Sequence, residues 1–134
     1  LSGAMTAYFF GCINGRSGHY LWRPSGVRYE PIRHQGVLPW ADIDAALCPG
    51  KRPPRSRLYA VVENGEQVEG WAALHHRDGW TALAWWDRSV DQRYGSNAAL
   101  FAPGNLTADQ VLTVGREHFA GFLDRMTYQV RLTR

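Results

Sequence analysis

Residues 58–87 read LYAVVENGEQVEGWAALHHRDGWTALAWWD, and this stretch decides the fold. Its first run, LYAVVE over 58–63, is rich in β-branched and aromatic side chains and reads as a strand. Asn64-Gly65 follows, a dipeptide that accepts the positive φ angles of a two-residue hairpin turn. Residues 67–75 (QVEGWAALH) read as the next strand, His76-Arg77-Asp78-Gly79 as a second turn, and 80–87 (WTALAWWD) as the strand after it. Alternation puts Trp80, Ala82, Ala84 and Trp86 on one face of that last strand, and Thr81, Leu83, Trp85 and Asp87 on the other. Both faces are mostly apolar, so the strand is expected at the centre of a sheet covered on both sides. Its small alanines, and those of the strand before, leave room for tryptophans or for a helix to pack.

Outward from this centre the signals are weaker but consistent. Residues 7–14 (AYFFGCIN) and 19–22 (HYLW) read as two strands, with Gly15-Arg16-Ser17-Gly18 as the turn of an opening hairpin. A third short strand fits 27–30 (VRYE). Pro31, Pro39, Pro49, Pro53 and Pro54 exclude long strands over 31–57, although a short helical turn fits 40–47 (WADIDAAL) before Cys48-Pro49-Gly50 stops it. Residues 88–97 (RSVDQRYGSN) are polar and read as a loop, and 98–102 as a further strand. Thr107 with Gln110 three residues on forms a capping box, and Asp109 suits the helix dipole. Val111, Leu112, Gly115, Phe119, Phe122 and Leu123 make one stripe of a helix running to about Arg125. Residues 127–133 (TYQVRLT) alternate as a last strand. The pattern predicts an α+β fold: an antiparallel sheet of about five to seven strands packed against one C-terminal amphipathic helix.

The composition narrows the class without naming an activity. With 134 residues, 45% hydrophobic and 20% charged, the chain has the size and make-up of one globular domain. Six Trp, six Tyr and five Phe argue against disorder, and no apolar run approaches a membrane span. Leu1-Ser2-Gly3-Ala4 before Met5 reads as a cloning scar, which leaves 5–134 as the domain. No signal peptide is visible, and a cytoplasmic location is expected. Cys12 and Cys48 are the two cysteines, lie far apart and are expected as buried free thiols. The net charge is +3, and Lys51 is the single Lys among fifteen basic residues. A GC-rich genome, which encodes Arg in place of Lys, explains that bias better than function does. Basic residues cluster only in KRPPRSR, at Lys51, Arg52, Arg55 and Arg57, a weak footprint for nucleic acid.

The leading candidate site is 85–97, WWDRSVDQRYGSN. Asp87, Arg88, Asp91, Arg93, Ser96 and Asn97 crowd beside the apolar wall of Trp85 and Trp86, which is what a ligand pocket or a partner hot spot needs. Arg88 and Arg93 suit a phosphate or carboxylate, and the two aspartates suit orienting them. An ion-pair network that pins a long loop would use the same residues. Three secondary candidates are Arg16, in a glycine-rich turn that offers backbone N–H groups to an anion, His19, and His75. His75 is expected on the face of Trp71, while His76 is expected as a turn residue. Cys12 with His19 or His75 is a conceivable nucleophilic pair, but no catalytic signature accompanies it, and no catalytic residue, metal or cofactor is assigned.

The run from His75 to Ala98, HHRDGWTALAWWDRSVDQRYGSNA, resembles a set of small proteins of tailed bacteriophages and proteobacterial prophages. They share an apolar strand, a WWDR-like end and a D-x-R-G-x-N-like loop, and the step Gly18-His19-Tyr20 is similar too. Here Tyr94 separates Arg93 from Gly95, a departure from that pattern. The resemblance implies a phage accessory protein in a bacterial host cell, binding a host protein, including a defence component, or sequestering a small anionic ligand such as a nucleotide. The alternatives are a small enzyme acting on a nucleotide or nucleic acid, and Arg-mediated nucleic-acid binding. Whether two copies associate is left open by the many tryptophans.

Overall fold

The computed structural model describes residues 6–31, 38–47, 57–63, 66, 67, 69–88, 96–122 and 128–132. Their strands form one antiparallel sheet. It comprises β1 (Ala7–Ile13), β2 (Arg16–Arg23), β3 (Gly26–Pro31), β4 (Arg57–Glu63), β5 (Glu66–Gln67), β6 (Glu69–Arg77), β7 (Trp80–Arg88), β8 (Ser96–Pro103) and β9 (Tyr128–Leu132). The order is β3-β2-β1-β8-β7-β6-β4-β5, with β9 paired to β4. Helix α1 (Ala41–Ala46) lies between β3 and β4 in sequence, and helix α2 (Ala108–His118) between β8 and β9. The α+β architecture is as the pattern predicts. Eight of its nine strands fall on runs read as strands, and the two-residue β5 is the ninth.

Turn chemistry sets the register. Asp78 and Gly79 take φ of 52° and 78°, so β6 and β7 join through the two-residue turn that Asp-Gly favours. Trp71 then stands opposite Trp86, Ala73 opposite Ala84, and His75 opposite Ala82. The opening hairpin differs from expectation. Its turn is Asn14-Gly15, with φ of 52° and 82°, and Arg16, Ser17 and Gly18 already belong to β2. Asn-Gly is the better type I′ pair, and Gly18 is glycine for another reason. A Cβ there would collide with the carbonyl of Glu30 on β3.

The sheet is covered on both faces, as the composition of β7 predicts. On one face α2 seals a core of Phe9, Leu83, Trp85, Leu100, Val111, Leu112, Phe119 and Phe122. The capping box forms as read: Gln110 N–H donates to Thr107 Oγ1 at 3.2 Å, and Thr107 N–H donates to Gln110 Oε1 at 2.9 Å. The helix stops at His118, short of Arg125. Phe119 leaves helical geometry and Gly121 turns the chain back with φ of 86°. Gly115 lets α2 approach closely, since a Cβ there would sit 2.6 Å from Phe122 and 2.8 Å from Leu100.

On the other face, Leu38, Trp40, Ile43 and Leu47 of the α1 segment pack with Tyr8, Trp71, Trp86 and Phe101. A helix of six residues is far too short to be stable alone. It is held by Arg77, which donates two hydrogen bonds to Asp42, at 3.0 and 2.5 Å, and lies 4.9 Å over the Trp40 ring. Trp40 in turn meets Phe101 edge-on, with ring centroids 5.1 Å apart.

Candidate functional site

The structure divides the expected site. Asp87, Arg88, Ser96 and Asn97 are not in a loop: β7 runs on through Arg88, β8 starts at Ser96, and the ladder pairs Asp87 with Ser96 and Trp86 with Asn97. Trp85 and Trp86 do not form one wall. Adjacent strand residues point to opposite faces, so Trp85 enters the α2 core, with its ring 6.3 Å from that of Phe9, while Trp86 faces α1. Asp91 and Arg93 lie outside the described residues, as do Lys51, Arg52, Arg55 and Cys48.

The secondary candidates also separate. Arg16 and His19 lie on opposite faces of β2. The Arg16 guanidinium lies 3.9 Å over the Tyr29 ring, and the glycine-rich segment read as an anion cradle is strand, its backbone paired with β1 and β3. Cys12 is free but exposed, against the expectation of burial. His76 is a strand residue, and its Nε2–H donates to the Leu106 carbonyl at 2.9 Å. His75 does share the face of Trp71. Among the described residues no three His, Cys, Asp or Glu side chains gather as metal ligands. No helix among them is long and apolar enough to cross a membrane.

What the structure brings together lies on the α1 face. Across it, Trp71, Trp86 and Asn97 form one row of the sheet. Ala73, Ala84, Ala99, Phe10 and His19 form the next, and His75, Ala82, Phe101, Tyr8 and Leu21 a third. Ala73, Ala82, Ala84 and Ala99 are therefore a patch of methyl groups surrounded by much taller side chains. Polar atoms buried without a hydrogen-bond partner concentrate on this face: His19 Nε2, Trp71 Nε1, His75 Nε2 and Asn97 Oδ1, with Thr6 Oγ1 just before β1. His19 is only 6% exposed and Trp71 only 4%, so bulk water does not serve them. The α2 face shows no such atom among the described residues. There Thr81 donates to the Gly104 carbonyl at 2.6 Å and accepts from Leu106 N–H at 2.9 Å, and the Tyr20 hydroxyl donates to the Arg16 carbonyl at 2.6 Å.

The electrostatics keep the buried groups of this face uncharged. Burial pushes the Tyr8 phenol far above its usual range, helped by the negative charges of Glu30 and Asp44. Tyr8 therefore stays protonated, and its hydroxyl pairs with His19 Nδ1. Burial lowers the pKa of His19 despite the same two acids, so the ring is neutral at pH 7. Burial also lowers the pKa of His75, outweighing the attraction of Asp42, and Arg77 and His76 add to the lowering.

No protein-family model, curated protein or solved structure matches the chain. Trp71, Tyr8 and the alanine patch were not read from the sequence as site residues, although counting outward from Asp78-Gly79 places Trp71 opposite Trp86.

Proposed function

We propose that this chain is a non-catalytic binding protein that sequesters a small molecule at the α1 face of its sheet, beside Trp71, Trp86 and Asn97. One observation carries the reading: buried polar atoms without partners lie on that face and are missing, among the described residues, from the other. Each such atom costs about 1–3 kcal/mol unless something pairs with it. A bound ligand would recover that cost in proportion to the groups it meets. A protein partner fits less well, because Val27 is the one large hydrophobic side chain exposed among the described residues. The resemblance of 75–98 to phage proteins supports a phage or prophage accessory role in a host cytoplasm, where withholding a host small molecule would modulate the host or its defence.

The test is to purify the chain from a bacterial lysate, denature it, and identify released small molecules by mass spectrometry, beside an Asn97→Leu variant. A stoichiometric compound released from the wild type and depleted in the variant is expected. A host protein retained in its place, with no small molecule, would transfer the reading to host-protein binding. Turnover of a nucleotide by the purified chain would favour an enzyme.

A further inference from the structure

We infer that the sheet edge at β3 pairs with β3 of a second copy of this chain, antiparallel about a two-fold axis at Tyr29, so that two sheets join into one. This edge is distinct from the region of Trp71, Trp86 and Asn97. β3 ends the strand order, and among the described residues it pairs with β2 only. Arg23 and Gly26 face each other across the two-residue turn Pro24-Ser25, and such a flanking pair is hydrogen-bonded. Hydrogen-bonded pairs alternate along an antiparallel ladder. Leu21–Arg28 and His19–Glu30 are therefore hydrogen-bonded too, and Val27, Tyr29 and Pro31 turn their backbone groups away from β2. The edge is open. Val27 is 46% exposed, the one large hydrophobic side chain so placed among the described residues, and Gly26, Arg28 and Pro31 are exposed beside it. Helix α2 packs over β8, β1 and β7, towards the middle of the sheet. An open edge is a template for another strand unless something blunts it. The β2–β3 register runs one to one from Arg23–Gly26 to Gly18–Pro31, with no bulge to twist the edge away.

Charge selects a second copy as the partner and fixes the register. Arg28 and Glu30 sit two residues apart on one face of β3, exposed, and pair with each other. An axis at Arg28 would set two arginines against each other, and an axis at Glu30 two glutamates. An axis at Val27 would put Arg28 opposite the partner's Gly26. The axis at Tyr29 puts Arg28 opposite the partner's Glu30, and Glu30 opposite the partner's Arg28. In that register Tyr29 N–H donates to the carbonyl of the partner's Tyr29, and Val27 N–H to the carbonyl of the partner's Pro31, each reciprocally. Pro31 has no N–H to give, so the ladder stops there. The Val27 side chain comes opposite the partner's Pro31, which covers apolar surface with apolar surface. The Tyr29 ring is held back over β2: Arg16 lies 3.9 Å from its centroid, and its hydroxyl donates to the Ser17 carbonyl at 2.9 Å. Backbone hydrogen bonds carry strand-edge contacts, so no broad apolar patch is needed. A two-fold contact of this kind closes on itself. It is short, and the dimer should form at about 10–100 μM.

The experiment is sedimentation equilibrium of the intact chain from about 5 to 500 μM, where a monomer–dimer equilibrium is expected. Arg28→Glu and Glu30→Arg each set like charges across the axis, and each should weaken self-association about tenfold. The two variants mixed in equal amounts should pair with each other, and the chain carrying both substitutions should dimerise like the wild type. Thermal unfolding checks that each variant is folded. Hydrogen exchange at the Val27 and Tyr29 amides should slow as concentration rises. A chain that stays monomeric throughout would overturn the proposal. A dimer that the single variants leave intact would overturn it too, as would one that forms without protecting those two amides. Failure of the mixed variants to pair would overturn the register.

Discussion

The two faces of the sheet solve the same packing problem in opposite ways. On the α2 face, a glycine at 115 brings helix and sheet close enough for Phe122 and Leu100 to meet across it, and the described buried polar groups are paired. On the α1 face a six-residue helix is tied on by Arg77, Asp42 and Trp40, over a patch of alanines with polar atoms left unpaired. A face built only for stability would look like the first. The second gives up hydrogen bonds worth about 1 kcal/mol each, and natural proteins concentrate such concessions at functional sites.

The largest expected effect tests the closely packed face. Gly115→Val should destabilise the chain by roughly 2–4 kcal/mol, because its first added carbon already overlaps two buried side chains and the β-branch adds more. Urea unfolding measures it. The matching change on the other face, Ala84→Val, at a fully buried alanine, should cost about 1–3 kcal/mol. Equal costs would mean that the alanine patch is filled as tightly as the helix contact, and the contrast would fail. Next in size is Thr81→Val, which keeps the shape but removes both bonds tying Gly104 and Leu106 to β7. A loss of about 1–3 kcal/mol is expected by the same measurement.

Local signals made half of this comparison legible in advance. Thr107 with Gln110 and the stripe from Val111 to Phe122 specify α2, and Asp78-Gly79 fixes Trp71 against Trp86, because a two-residue turn leaves no freedom in register. Asn14-Gly15 would likewise have placed Phe10 opposite His19, had the turn been read there and not two residues later. Asn97 was flagged for its composition, but its place beside Trp86 depends on the β7–β8 register, and no turn signature marks the segment between them. The junction of β1 with β8 joins residues some ninety positions apart, and it alone brings Tyr8 and His19 to the alanine patch. Pairing at that separation is decided by the whole fold, so sequence pattern could suggest the residues but not their meeting. Reading WWDR as a loop edge also hid the division of Trp85 from Trp86, which follows once the strand continues to Arg88.

Acid should act through the α1 face. Both His19 and His75 have folded pKa values below the ordinary 6.5, with burial the main cause. Above that value they are neutral in both folded and unfolded chains and contribute no pH dependence. As pH falls below it the unfolded chain takes up protons first, so stability declines until the folded-state values are passed. For His19 the groups that set the response are Tyr8, Glu30 and Asp44, and for His75 they are Asp42, Arg77 and His76. Thermal unfolding between pH 7.5 and about pH 5 should show this decline, and His19→Gln should reduce it. An unchanged slope in His19→Gln and in a matching His75 variant would place the acid sensitivity elsewhere.

The smallest expected effect on stability is also the most discriminating. Trp71→Phe deletes a buried N–H that pairs with nothing, whereas Thr81→Val deletes a hydroxyl that makes two bonds. The chemistry removed is similar, yet the cost should differ in sign or nearly so. Deleting an unpaired donor lifts a desolvation penalty, and the loss of one ring of apolar area offsets that gain. Trp71→Phe should therefore unfold within about 0.5–1 kcal/mol of the wild type in the absence of ligand. With ligand present the order changes, because the wild type alone gains the Trp71 hydrogen bond, and its transition should rise further than the variant's. A large loss of stability without ligand would mean that the indole N–H already has a partner, and the α1 face would then differ from the α2 face in packing alone.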